Sequence, residues 1–195
     1  MTSLSMEEFE ASQDAKSQFL DSRPTSVFAS SFIPNSINAS LNGAFEYMAS
    51  CVFQKTKPLV IICEEGKEAE SVLRLESEGF KDISTFNFEI WEKGGGKTSA
   101  IVRYLASEAQ KHVDSMKDVS NTEDWEVLHV KGTSSVPLID LINDFGLISE
   151  GDVLYCGNGH KSMAAASFLK IKGVNVTDII GGLSAMLVEA PDLEI

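Results

Sequence analysis

Apolar positions in this chain gather into two short runs of matching character. Leu59-Val60-Ile61-Ile62-Cys63 and Val153-Leu154-Tyr155-Cys156 are uninterrupted, as a strand buried on both faces of a sheet requires. A helical pattern follows each run and stops at a glycine, Gly79 or Gly173, where a left-handed C-cap is expected. A further strand-like segment comes next in both places, Ile83-Ser84-Thr85-Phe86 and Val176-Thr177-Asp178-Ile179-Ile180. Strands alternating with helices of this length predict βαβ units: an α/β fold with mostly parallel sheets flanked by helices on both faces.

The pattern is a repeat. Cys63 and Cys156 stand 93 positions apart, as do Gly66 and Gly159. Upstream, Gln18-Phe19-Leu20-Asp21-Ser22-Arg23 pairs with Glu126-Val127-Leu128-His129-Val130-Lys131. Two tandem domains are expected, residues 1–98 and 99–195. Gly94-Gly95-Gly96 and the polar stretch 111–124 bracket their junction, with a helix over about 99–111 between them. From Asp21 to Cys63 the count is 42 residues, and from His129 to Cys156 it is 27, so the second domain is predicted to be shortened by 15.

The strongest chemical signal is Cys156-Gly157-Asn158-Gly159-His160-Lys161-Ser162. A thiol at the end of a buried strand, facing the first turn of a helix, meets unpaired N–H groups and the positive end of the helix dipole. Such surroundings favour a thiolate nucleophile. Gly157 and Gly159 let the loop curl, His160 and Lys161 add positive charge, and Ser162 is read as the N-cap. An inert core cysteine is the bland alternative for Cys156. At Cys63 the neighbours Glu64, Glu65, Glu68 and Glu70 disfavour an anion, so that cysteine is expected to be structural. Cys51, within Met48 to Phe53, is read as core, His160 as an exposed loop residue, and Asp21 with Arg23 as a strand-end ion pair. A cysteine phosphatase would need arginine six places after its cysteine, where Ser162 and Ala69 stand. Gly94-Gly95-Gly96-Lys97-Thr98 lacks the spacing of a phosphate loop.

On these residues the chain resembles the rhodanese family of sulfurtransferases over nearly its whole length. Leu20-Asp21-Ser22-Arg23, Phe32-Ile33-Pro34-Asn35-Ser36-Ile37-Asn38 and Trp91 are similar to family signatures in the first domain. Cys156 to Ser162 and Gly181-Gly182 are similar to the active loop and closing Gly-Gly in the second. The chain looks most like the paired rhodanese domains that follow the metallo-β-lactamase-fold persulfide dioxygenases of bacteria. The resemblance implies a sulfurtransferase or sulfane-sulfur carrier. Cys156 would form the persulfide, and the backbone of Gly157, Asn158, Gly159, His160, Lys161 and Ser162 would bind the substrate sulfur. Thiosulfate or a small persulfide would donate and a thiol would accept, with a dioxygenase domain as a possible partner. Lys161 occupies the family's arginine position, and a point charge replaces a planar fork there. His129 and Lys131 are taken to replace an aspartate and an arginine. The alternative is an inactive binding module that docks a partner protein or dioxygenase domain.

Composition narrows the field further. With 29 acidic and 16 basic residues the net charge is −13, which disfavours nucleic acid and anionic membranes as partners. Three cysteines without framework spacing suit a reducing compartment, and the first ten residues lack the apolar core of a signal peptide, so a cytoplasmic location is expected. The three histidines are scattered, and neither a metal nor a cofactor is expected.

Overall fold

The computed structural model describes residues 2–195 and divides into two units, Met1–Ala100 and Ile101–Ile195. The first unit runs β1 (Thr2–Ser3), α1 (Met6–Asp14), β2 (Gln18–Asp21), α2 (Thr25–Ser30), β3 (Ile37–Asn38) and α3 (Phe45–Val52). It continues with β4 (Leu59–Cys63), α4 (Glu68–Ser77), β5 (Ile83–Asn87) and α5 (Phe88–Lys93). In the second unit come β6 (Val102–Tyr104), a 3-10 turn (Ala106–Lys111), β7 (Met116–Asp118), α6 (Thr122–Val127), β8 (Ser134–Ser135) and α7 (Leu138–Asn143). It closes with β9 (Val153–Tyr155), α8 (His160–Ile171), β10 (Thr177–Ile179) and α9 (Gly182–Glu189).

Both sheets are five-stranded and parallel throughout, in the orders β1-β5-β4-β2-β3 and β6-β10-β9-β7-β8. Counted from the first strand of each unit, these are one and the same order. The repeat seen in the sequence is therefore a repeat of topology, and the α/β architecture with two helix-flanked parallel sheets is observed.

The cysteine strands lie centrally, which explains their unbroken apolarity. All five residues of β4 and all three of β9 are buried. Alternation sends Val60 and Ile62 toward a core shared with Phe9 of α1 and Trp91 of α5, and so turns Leu59, Ile61 and Cys63 to the other face. In the second unit Val153 and Tyr155 join Ile179, Leu183 and Met186, which turns Leu154 to the opposite face. Helix α8 is buried continuously from Ser162 to Leu169, and its run Met163-Ala164-Ala165-Ala166 is narrow enough to lie close to another element.

Three expectations change. Residues 99–111 are not a helix: Val102, Arg103 and Tyr104 form the edge strand β6 beside β10, and only Ala106–Lys111 coils, as a 3-10 turn. Residues 126–131 are not a strand either, because Val127 ends α6 and the chain then loops. The counterpart of β2 is β7, hidden in the stretch read as a polar junction because it is three residues long with Lys117 at its centre. Asp118 and Ser120 therefore correspond to Asp21 and Arg23. From Asp118 to Cys156 is 38 positions, so the second unit is shorter over this interval by four residues and not by 15. His129 stacks on Trp125 and Lys131 pairs with Glu194, both away from the assigned positions.

Candidate active site

Strand β9 ends at Tyr155, and Cys156 follows directly, 1% exposed. The loop Gly157-Asn158-Gly159 then turns into α8. Gly159, at φ +84°, is the N-cap, so Ser162 is not the cap but lies one turn inside the helix. A helix leaves its first N–H groups without intrahelical acceptors, and this one, twelve residues long, starts beside the thiol.

The loop's far side is fixed by the glycine pair before α9. Leu183 N–H donates to the Cys156 carbonyl at 2.8 Å, and the Ser184 N–H and hydroxyl both donate to the Gly157 carbonyl, at 2.9 and 2.8 Å. Gly182 makes this approach possible. Its φ is +59°, and a Cβ there would lie 2.1 Å from the Cys156 carbonyl oxygen and 2.9 Å from the Gly159 nitrogen. The Cys156 and Gly157 carbonyls are thus held by α9, and the Asn158 and Gly159 nitrogens also lie close to Gly182.

The Cys156 thiol does not end in an apolar wall. It donates to the Ser162 hydroxyl at 3.7 Å, Ser162 donates to Asp178 Oδ1 at 2.5 Å, and Arg103 Nε donates to Asp178 Oδ2 at 2.8 Å. Ser162 and Asp178 are fully buried, and Arg103 is largely so. Burial raises the Asp178 carboxyl to about 6, although Arg103 and Ser162 both pull it down. No sequence motif announced Asp178 or Arg103. One signal existed: a charged residue inside the apolar strand Val176-Thr177-Asp178-Ile179 has to be paired.

The remaining predicted residues lie in the loop and the first turn of α8, with surroundings that differ from those expected. His160 is half-buried and opens α8, contrary to the exposed loop position expected. Its Nδ1 is enclosed without a hydrogen-bond partner, and burial lowers its pKa. Asn158 Oδ1 accepts from the His160 N–H at 3.4 Å. Lys161 pairs through Nζ with Asp124 Oδ2 at 3.3 Å, with 16% of its side chain exposed.

The first unit repeats the frame with different chemistry. Cys63 is fully buried, donates weakly to the Phe86 carbonyl at 3.8 Å, and is pushed up to about 12 by burial first and by Glu68, Asp21 and Glu64 after it. A cavity of about 250 Å³ opens over it, lined by Arg23, Ser31, Glu64, Phe88 and Glu92 among others. Arg23 is buried, bonded to Asp21 at 2.7 Å and to the Ser31 carbonyl at 2.8 Å, and it stacks 3.5 Å above the Phe88 ring. The strand-end ion pair is thus present. Cys51 is half-buried rather than core.

Residues 5–87 match the family model of the Rhodanese-like domain. The match lies within the first unit and includes Cys63 and its loop. Among solved structures, the thiosulfate sulfurtransferase of Pseudomonas aeruginosa aligns at 16% identity over 96% of this chain and 42% of its own, with a TM-score of 0.45. Wild-type EanB aligns at 10% identity over 95% of this chain and 60% of its own, at a TM-score of 0.50. A rhodanese-related protein from Thermoplasma volcanium aligns at 20% identity over 45% of this chain and 92% of its own, at 0.41. At 10% identity the likeness to EanB is one of fold alone. The chain spans less than two thirds of the length of the first two proteins. No curated protein matches it by sequence. Among the described residues no helix is long and apolar enough to cross a membrane, and no group of His, Cys, Asp and Glu is placed to hold a metal ion.

Proposed function

We propose that the chain is a sulfurtransferase or sulfane-sulfur carrier of the thiosulfate or persulfide type, with Cys156 as the sulfur-carrying nucleophile and the first unit as a non-catalytic scaffold. One observation supports this above the others: the Cys156 thiol stands between the end of β9 and the start of α8, in a loop whose carbonyls are occupied by α9. The positive end of α8 and the loop amides would stabilise the charge of a terminal sulfur carried on Cys156.

The chemistry is a displacement at sulfur. Cys156, as thiolate, attacks the outer sulfur of the donor. The donor's S–S bond breaks, and its electron pair leaves with sulfite from thiosulfate or with a thiolate from a small persulfide. Cys156 then holds one additional sulfur as a persulfide anion. An acceptor thiolate attacks that outer sulfur and restores the cysteine. The amides of Gly157 through Ser162 would hold the terminal sulfur, and the near-complete burial of Cys156 would shelter it from bulk thiols.

Lys161 tunes donor choice in this scheme. Bonded to Asp124, it gives the loop a partly neutralised point charge, which favours a donor whose reacting end is a singly charged persulfide group over thiosulfate, whose two charges sit on the reacting group itself. The test is steady-state sulfur transfer from each donor to a thiol acceptor. Transfer is expected with the wild-type chain, faster from glutathione persulfide than from thiosulfate, and absent in Cys156→Ser. Equal transfer by wild type and Cys156→Ser would overturn the assignment.

A further inference from the structure

We propose that Ser162 and Asp178 form the proton-accepting relay of Cys156, with Arg103 fixing the carboxylate so that one oxygen serves Ser162 alone. This rests on Cys156 being the reactive thiol and identifies the residues that take its proton.

The donors along the chain all point the same way. The thiol donates to Ser162, Ser162 donates to Asp178 Oδ1, and Arg103 occupies Oδ2. As the sulfur attacks, its proton passes to Ser162 Oγ while the Ser162 hydroxyl proton passes to Oδ1. A thiolate and a neutral carboxylic acid result, so charge moves toward the electrophile with no change in the site's total. The acid can later return its proton to the leaving thiolate by the same path. Burial holds the Asp178 carboxyl near 6, far closer to a thiol than an ordinary carboxylate, which shortens the energetic step. The groups that face Asp178 are Arg103 from β6 and, through Ser162 of α8, Cys156 at the end of β9.

The internal repeat supplies the control. In register, Ser3 sits beside Thr85 on β5 as Arg103 sits beside Asp178 on β10. Thr85 faces Ile61 on β4 as Asp178 faces Leu154 on β9. Ala69 follows Cys63 by six places, as Ser162 follows Cys156. The four relay positions are therefore Ser3, Thr85, Ala69 and Cys63 in the first unit. There the hydroxyl beside the cysteine is missing, and the Thr85 hydroxyl is buried without a partner. The same backbone thus carries the hydrogen-bonded chain in one copy and lacks it in the other.

The relay is read from the pH dependence of Cys156 alkylation by iodoacetamide, followed by peptide mass, which needs no sulfur donor. In the wild-type chain the rate is expected to hold through neutral pH and fall as pH drops through about 6, where Asp178 takes up its proton. Asp178→Asn and Ser162→Ala should each lower the rate at pH 7 on the order of a hundredfold, the lower end of a positioned base's contribution. Both should also lose the limb near 6 and follow hydroxide instead, whereas Ser162→Thr, which keeps the hydroxyl, keeps the wild-type profile. If Asp178→Asn does not fold by circular dichroism, Ser162→Ala decides. An unchanged or faster rate with an unchanged profile in the folded variants would overturn the relay. That result would leave the sulfur-carrying role of Cys156 to its own assay.

Discussion

At the scale of single residues, the loop that holds Cys156 depends on an absent side chain. Gly182 permits α9 to close on the carbonyls of Cys156 and Gly157, and its backbone is left-handed. Gly182→Ala would place a methyl group 2.1 Å from a backbone oxygen, a contact that no side-chain rotation relieves. We expect it to cost about 2 kcal/mol or more in thermal or denaturant unfolding and to abolish sulfur loading even where the chain still folds. Gly157→Ala is the matched control for stability: nothing lies within 4 Å of its added Cβ, and the unfolding midpoint should be retained. Equal losses in the two variants would mean that the loop is not held by α9 in the way described.

At the scale of elements, the two strand–loop–helix units separate room from ionisation. β4 and α4 place Cys63 beneath a cavity of about 250 Å³ while burial and a ring of carboxylates keep it a thiol; β9 and α8 bury Cys156 against a polar relay. At pH 8 the folded chain should therefore be alkylated at Cys156 well before Cys63, and unfolding in urea should make the two equal. Preferential labelling of Cys63 in the folded chain would contradict this. The sequence carried the parts that rest on period and composition: the buried strands β4 and β9, the 93-residue offset, Gly159 at the turn, and the acidic neighbours of Cys63. Short edge elements escaped it. β6 and β7 have three residues each, too few for a period to emerge, and the polar Lys117 and Arg103 at their centres conceal them. Asp178 and Arg103 lie 75 positions apart in the chain and meet only through the pairing of β10 with β6. Their partnership is a product of topology, and no local pattern encodes it.

At the scale of the whole molecule, one topology occurs twice with different chemistry at its cysteine. Each unit has its own core, one around Phe9, Phe86 and Trp91 and the other around Tyr155, Leu183 and Met186. The first unit matches the rhodanese-like family model, yet burial and nearby carboxylates push its Cys63 thiol up to about 12. The second holds Cys156 bonded to Ser162 and, through it, to Asp178. A net charge of −13 repels anionic donors at long range, which leaves a local arrangement of amides and Lys161 to hold them. The central claim is that one cysteine of the two carries sulfur. Its most direct test is the site-resolved mass of the intact folded chain after exposure to glutathione persulfide or thiosulfate and removal of excess donor. The account predicts a gain of one sulfur atom on Cys156 and none on Cys63. A folded chain that gains no sulfur at Cys156 with either donor, or gains it at Cys63 instead, would contradict it.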